Sequence, residues 1–126
     1  MADGGPRRRA TLPRAERLRA PAEFQRLFQR GARIERGAFV LLWMRAPGRR
    51  AAGFAAGRRL GSSVVRNRAR RRLREAYRRE CAALPAEGLR LCFLARPPVL
   101  RIGFGALSQA VGSALAEVGR IQTRQR

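Results

Sequence analysis

Apolar residues recur at three- and four-residue steps in three segments of the chain, which is the spacing of a helix with one buried face. The first segment covers residues 21–30, opens with a proline that suits a first helical turn, and is followed by a glycine. The second begins at Ser62 or Ser63, either of which can cap a helix, and reaches Leu84. The third covers about residues 104–121. The three apolar stripes are Phe24, Leu27 and Phe28, then Val65, Ala69, Leu73, Ala76, Tyr77 and Leu84, and finally Leu107, Val111, Leu115 and Val118.

Continuous apolar runs bounded by glycine or proline predict buried strands between these helices. One run covers residues 38–45, and another covers residues 89–95 and ends at an Arg-Pro-Pro sequence. Residues 48–50 have the composition of a hairpin turn, so residues 51–58 are predicted as the antiparallel partner of the first strand. A further short strand at residues 33–35 has a weaker signal.

The order of elements, α-β-β-(β)-α-β-α, predicts an α+β fold in which a small mixed sheet of three to four strands and three helices form a two-layer sandwich. A length of 126 residues suits one domain. Residues 1–15 combine glycine, proline and an arginine triplet and are predicted to be a flexible basic arm, residues 16–121 the folded domain, and residues 122–126 a flexible tail. No apolar stretch is long enough for a membrane span or a signal peptide, so we expect a cytoplasmic protein without a membrane partner.

The balance of charged residues indicates which class of ligand the protein binds. The chain has 29 basic residues, all of them arginine, against 8 acidic residues, for a net charge of +21. Because 45% of the residues are hydrophobic, the charge belongs to a folded protein rather than to a disordered basic tail. Such a balance is typical of a protein that binds a polyanion.

Catalytic chemistry has few candidates in this chain. The absence of histidine excludes Ser-His-Asp and Cys-His catalysis and Cys/His zinc sites. The carboxylates are scattered over different predicted elements, so we expect no catalytic residue and no metal site. The two cysteines, Cys81 and Cys92, lack the spacing of a redox motif and are predicted to be free thiols.

The second predicted helix carries arginines opposite its apolar stripe. A solvated helix face usually mixes charges of both signs, whereas here only Glu75 and Glu80 relieve the mutual repulsion. Arginine donates two hydrogen bonds to one phosphate and also stacks on unpaired bases, so a nucleic acid is the expected ligand. Phe24 and Phe28 on the first helix suit either the core or a platform for single-stranded bases.

Residues 58–77, with the sequence RRLGSSVVRNRARRRLREAY, resemble the motif of the bacterial ribonuclease P protein subunit. Three weaker matches follow the family's order along the chain, at residues 18–31, 39–41 and 93–97. Together the matches cover about residues 12–118.

This resemblance implies a function, partners and a fold. The function is that of a protein subunit that assists a catalytic RNA in the endonucleolytic removal of the 5′ leader from precursor tRNA. The catalytic groups and the Mg²⁺ ions would belong to the ribonuclease P RNA and the substrate, and the protein would bind that RNA and the leader but not DNA. The fold would resemble domain 2 of ribosomal protein S5, with a left-handed βαβ crossover between the second long strand and residues 89–95.

The family's binding residues map onto positions of this sequence. Leu42 stands where relatives often have an aromatic residue, and arginine replaces the mixture of lysine and arginine that is common in the family. The residues implied to line the leader-binding cleft are Phe24, Phe28 and Leu42. Those implied to contact the catalytic RNA are Arg58, Arg59, Arg66, Asn67, Arg68, Arg70, Arg71, Arg72 and Arg74.

Two alternatives stay open from the residues alone. A non-enzymatic RNA-binding module, such as a ribosomal-protein-like domain, has the same composition and basic helix. A protein that reads the DNA major groove through residues 64–84 is less favoured, because arginines spread along so much of a helix suit phosphates better than a compact base-reading patch.

Overall fold

The computed structural model describes residues 21–124, so the predicted arm at residues 1–15 lies outside the described part. Three short 3-10 turns, at Arg58–Leu60, Cys81–Ala83 and Pro97–Leu100, connect the larger elements. Among residues 21–124, no helix combines the length and the apolar character needed to cross a bilayer. In chain order the helices and strands are α1 (Pro21–Arg30), β1 (Ala32–Arg36), β2 (Phe39–Arg49), β3 (Ala51–Ala55), α2 (Ser63–Glu80), β4 (Glu87–Ala95) and α3 (Phe104–Arg124).

All three predicted helices are present, and two of them end at different residues from those predicted. Helix α2 begins after Ser62, whose Oγ accepts a hydrogen bond from the Val65 backbone N–H at 3.3 Å. It ends at Glu80 rather than at Leu84, because the 3-10 turn follows directly. Helix α3 continues to Arg124, beyond the predicted boundary before residue 122. A hydrogen bond from Arg45 Nη2 of β2 to the Gln122 carbonyl, 2.8 Å long, holds the last turns of α3 in place.

The sheet has four strands in the order β1-β2-β4-β3, with β1, β2 and β4 antiparallel and β3 parallel to β4. The weakly predicted first strand is therefore confirmed. The predicted β2–β3 hairpin is wrong, because β4 lies between these two strands. β4 has buried side chains on both of its faces. In the interior of the sheet, the backbone N–H and C=O groups along both edges of β4 find hydrogen-bond partners on the neighbouring strands. The connection from β3 through α2 to β4 is a crossover, as parallel strands require.

Alternate residues of the strands face two different helical layers. Helices α2 and α3 pack on one face and form the predicted second layer, while α1 packs on the opposite face. The face toward α2 and α3 carries Phe39, Leu41, Trp43, Ala52, Leu89, Leu91 and Phe93. The face toward α1 carries Val40, Leu42, Ala51 and Cys92, with Leu27 of α1 buried among them.

An aromatic cluster joins α2 to the sheet. The Phe93 ring lies at the centre, with centroid distances of 5.4 Å to Phe39, 5.5 Å to Phe54 and 5.7 Å to Tyr77 of α2. Edge-to-face and stacked rings at such distances add to the free energy of burial. The cluster therefore fixes where α2 lies, and with it the arginines on its outer surface.

Arg50 reinforces this attachment from the turn between β2 and β3. Its buried guanidinium donates from Nη1 to the carbonyls of Cys81, Leu84 and Pro85 at 3.0, 3.1 and 3.2 Å. Three carbonyls in one connection are thereby satisfied by a single charged donor. Neither Cys81 nor Cys92 forms a disulfide within residues 21–124, and burial raises the pKa of the Cys92 thiol to about 12.

Candidate nucleic-acid interface

The start of α2 depends on a glycine that no other residue replaces without strain. Gly61 has φ 143° and ψ −157°, a region that only glycine adopts readily. A Cβ at this position would also lie 3.1 Å from Cγ1 of Val65. This glycine lets the chain turn sharply from the Arg58–Leu60 turn into α2, so that Arg58 and Arg59 come before the positive end of the helix dipole.

The N-terminal half of the basic segment directs its guanidinium groups outward. Arg58, Arg59, Arg68 and Arg71 are exposed, and within residues 21–124 their guanidinium groups have no hydrogen-bond or ion-pair partner. Two neighbours have local contacts: Arg66 Nε is 3.5 Å from the Ser62 carbonyl, and Arg70 donates to Oδ1 of the exposed Asn67. Six predicted RNA-binding arginines thus lie together on this part of the surface.

Two other predicted arginines make contacts within the protein. Arg72 donates from Nη1 to the Val99 carbonyl at 2.9 Å and from Nη2 to the Ile102 carbonyl at 2.6 Å. The Arg74 guanidinium lies over the Phe54 ring, 5.5 Å from its centroid. Arg72 therefore holds the turn between β4 and α3, and Arg74 covers the aromatic cluster.

The last turn of α2 neutralises its own charge. Arg78 donates to both carboxylate oxygens of Glu75, at 2.6 and 3.2 Å, and Arg79 Nε lies 3.3 Å from Oε2. The hydrogen bond from Arg78 lowers the pKa of the Glu75 carboxyl, although partial burial opposes the shift. Arg79 also covers the Phe104 ring at 4.9 Å. The free positive charge of α2 is consequently concentrated at its N-terminal end.

Phe24, Phe28 and Leu42, the predicted cleft residues, lie together on the α1 side of the sheet. Phe28 is 51% exposed, whereas Phe24 is half-buried against the cluster beneath α1. Leu42 is 1% exposed and forms part of the floor. The surface available to a ligand here is therefore mainly that of the two phenylalanine rings.

Sequence reasoning did not identify two further features of this side. Arg26 and Arg30 are exposed one helical turn apart on α1, a spacing that was visible in the sequence. Glu23 of α1 forms an ion pair with Arg90 of β4, at 3.4 Å, and these residues are too far apart in the chain for the pairing to be predicted. Both features add charge to α1, the helix that carries the two phenylalanine rings.

Carboxylate or cysteine ligands for a metal do not gather anywhere in the described part of the chain. Among residues 21–124, no three of the residue types His, Cys, Asp and Glu lie close enough to hold an ion. What the arrangement offers a ligand is guanidinium groups for phosphates and aromatic rings for stacking on bases.

Comparison with known proteins decides the family. The family model Ribonuclease P matches residues 12–119. The chain belongs to the ribonuclease P protein family. A ribonuclease P protein component of Roseiflexus castenholzii is 40% identical over 115 residues, which cover 88% of this chain and 92% of the relative. One of Brevibacillus brevis is 37% identical over 102 residues, covering 79% and 80%.

Solved structures agree with this assignment. The ribonuclease P protein from Thermotoga maritima superposes with a TM-score of 0.69 at 25% identity, over 79% of this chain and 94% of that protein. The Staphylococcus aureus protein, at 20% identity, shares the fold with a TM-score of 0.67, over 84% and 96%. The family member described here is thus a protein component of an endoribonuclease complex, as the motif at residues 58–77 predicts, and the ribosomal-protein-like alternative is not favoured.

Proposed function

We propose that this chain docks on the ribonuclease P RNA through the N-terminal half of α2 and holds the 5′ leader of precursor tRNA between α1 and the sheet. The observation that carries the proposal is the separation of the arginines of α2 into outward and internally bonded groups. The outward group, near Gly61, presents its guanidinium donors to a second molecule.

Phosphate is the natural partner of that group. Arginine forms bidentate hydrogen bonds with phosphate oxygens, and each neutralised phosphate releases condensed counterions. The backbone N–H groups at the start of α2 add donors of the same kind. Docking on a folded RNA therefore requires no base-specific contact. The residues that would contact the RNA are Arg58, Arg59, Arg66, Arg68, Arg70 and Arg71. Asn67 holds the Arg70 side chain, whereas Arg72 and Arg74 support this surface through their contacts within the protein.

The leader suits the opposite face. A single strand has unpaired bases, and aromatic rings bind such bases by stacking without strong sequence preference. Phe28 and Phe24 supply the rings, Leu42 the floor, and Arg26 and Arg30 supply charge for the backbone. A cleft of this kind favours the precursor over mature tRNA, because only the precursor has a leader.

The chemistry of phosphodiester hydrolysis is proposed to belong to the RNA. Mg²⁺ bound by the RNA subunit and the substrate would supply the activated water and stabilise the leaving oxygen. The protein's own residues bind and orient the substrate. We also propose that the protein is located in the cytoplasm.

The proposal is tested by cleavage of a precursor tRNA at low Mg²⁺ with a bacterial ribonuclease P RNA, with this protein, and with both together. We expect efficient cleavage only when both are present, because the protein supplies binding and the RNA supplies the catalytic groups. Cleavage by the protein alone would show that the catalytic site lies on this chain. RNA binding with a steep salt dependence but no stimulation would favour a general RNA-binding module.

Removing one exposed ring tests the leader-binding face. In the complex with the RNA subunit, Phe28→Ala is expected to weaken precursor binding by about tenfold, because one stacked base contributes roughly 1–3 kcal/mol. Phe24→Ala is expected to act in the same direction, but it also removes buried area. Dissociation constants for precursor and for mature tRNA check this. Equal weakening for both ligands would contradict a leader contact.

A further inference from the structure

Helix α1 is attached to the sheet at three points along its length. At its C-terminal end it continues through Gly31 into β1, and Gly31 packs on β2 so closely that a Cβ would lie 3.3 Å from the Trp43 carbonyl oxygen. In its middle, Leu27 is fully buried, and the half-buried Phe24 packs against the same cluster. Near its N-terminal end, Glu23 Oε2 lies 3.4 Å from Arg90 Nε of β4. The ion pair is thus the outermost of the three attachments.

The guanidinium of Arg90 is itself held in place by the end of β2. Nη2 donates to the Pro47 carbonyl and Nη1 to the Arg49 carbonyl, each at 2.8 Å. The side chain is 18% exposed, and that of Glu23 is 35% exposed. Because two backbone carbonyls orient the guanidinium, it offers Glu23 a fixed anchor rather than a mobile surface charge.

The pair stands at one end of the proposed leader cleft. Arg90 is in register with Met44 and Ala51 on the strands beside it, and Ala51 belongs to the cluster beneath α1. A cavity of about 150 Å³ at this end of α1 has a mixed lining, formed by Glu23, Arg26, Met44, Ala46, Pro47 and Arg90. Glu23 directly precedes Phe24, so a movement of one carries the other.

We propose that the Glu23–Arg90 ion pair is a positioning device that sets the distance of α1 from the sheet, and so the width of the leader cleft, without contacting RNA itself. Without the pair, α1 keeps only its link through Gly31 and the apolar contacts of Leu27 and Phe24, and its N-terminal end is held less firmly. Phe24, which is only half-buried against the cluster, then moves more freely relative to the sheet. This inference rests on the proposed leader-binding role of α1.

The test measures the preference for precursor over mature tRNA in the complex of the full chain with ribonuclease P RNA. Glu23→Gln and Arg90→Gln are each expected to lower the ratio of the two affinities about three- to tenfold, while affinity for the RNA subunit stays unchanged. The double variant is expected to lose no more than Arg90→Gln alone, since both changes remove one interaction. Arg90→Lys keeps the charge and is expected to retain most of the preference.

A second ion pair provides a matched control on the opposite face. Arg36 Nη2 and Glu117 Oε1, 3.0 Å apart, join β1 to α3, and their side chains are exposed to similar extents, 26% and 36%. Glu117→Gln removes a comparable carboxylate and is expected to leave the precursor preference unchanged. An equal loss of preference in this variant would show a general effect of stability and would overturn the proposal.

The remaining outcomes separate this inference from the proposed function. If Phe28→Ala lowers the preference but Glu23→Gln does not, the cleft is retained and the positioning role of the pair is overturned. If neither variant changes the preference, the leader-binding role of α1 fails, and the positioning role fails with it.

Discussion

Replacing both Arg68 and Arg71 with alanine is expected to weaken binding of the ribonuclease P RNA by about 30-fold or more at low salt. Each of these exposed guanidinium groups offers a charge-assisted hydrogen bond to phosphate, worth roughly 1–2 kcal/mol, and 1.4 kcal/mol corresponds to tenfold in affinity. Because two phosphates fewer are neutralised, the slope of log K against log salt is expected to fall in magnitude by roughly 1.4–1.8. Binding titrations at several salt concentrations measure both quantities.

The control is a single arginine removed elsewhere on the surface. Arg120 of α3 is exposed and lies outside the basic segment at residues 58–77. Arg120→Ala is compared with each of the two single variants, Arg68→Ala and Arg71→Ala, since all three lower the net charge by the same amount. If Arg120→Ala weakens binding and flattens the salt slope as much as they do, overall charge rather than the N-terminal half of α2 attracts the RNA.

The helices of this fold could be predicted from local sequence because their signals are local. The bounds of α1 agree with a proline in the first turn, an apolar stripe at helical spacing, and a following glycine. The start of α2 was likewise visible in Ser62, which caps it. Its end was not, since Cys81–Ala83 continue the apolar pattern but form a 3-10 turn that Arg50 holds through carbonyl contacts from a distant part of the chain.

The pairing of the strands could not be predicted in the same way. Residues 48–50 have the composition of a hairpin turn, and nothing near them in the sequence shows that a later strand inserts between β2 and β3. Competition for the interior of the sheet decides this, because β4 buries two leucines and a phenylalanine on one face and Cys92 on the other, whereas β3 contains mostly alanine and glycine. The resemblance to the family did imply a crossover, which is information from relatives rather than from local physics.

In the candidate site, too, some features follow from the local sequence and others only from the fold. The sequence identifies the arc of α2 that carries arginines, because the buried stripe leaves it no other orientation. It does not distinguish Arg71, which is free among the described residues, from Arg72, which donates to the carbonyls of Val99 and Ile102. These carbonyls lie 27 and 30 residues further along the chain. Only the fold shows which guanidinium groups already have partners.

Phe93→Ala is the substitution expected to cost the most stability. Phe93 is fully buried and contacts three aromatic rings, including Tyr77 of α2. Truncating a buried phenylalanine costs roughly 3–5 kcal/mol, a large part of the roughly 5–15 kcal/mol that stabilises a domain. Urea denaturation is expected to show a lower midpoint with an unchanged m value.

The same substitution links the core to RNA binding. Tyr77 fixes α2 to the sheet through Phe93, so Phe93→Ala lowers the population of the folded form that presents the outward arginines. RNA that binds only this folded form restores part of the lost stability. At an RNA concentration of about 100 times Kd, the recovery is about 2.7 kcal/mol. Phe28→Ala, which removes an exposed ring, is the comparison and is expected to leave the midpoint nearly unchanged. Equal losses in the two variants would show that the aromatic cluster does not determine the stability of this domain.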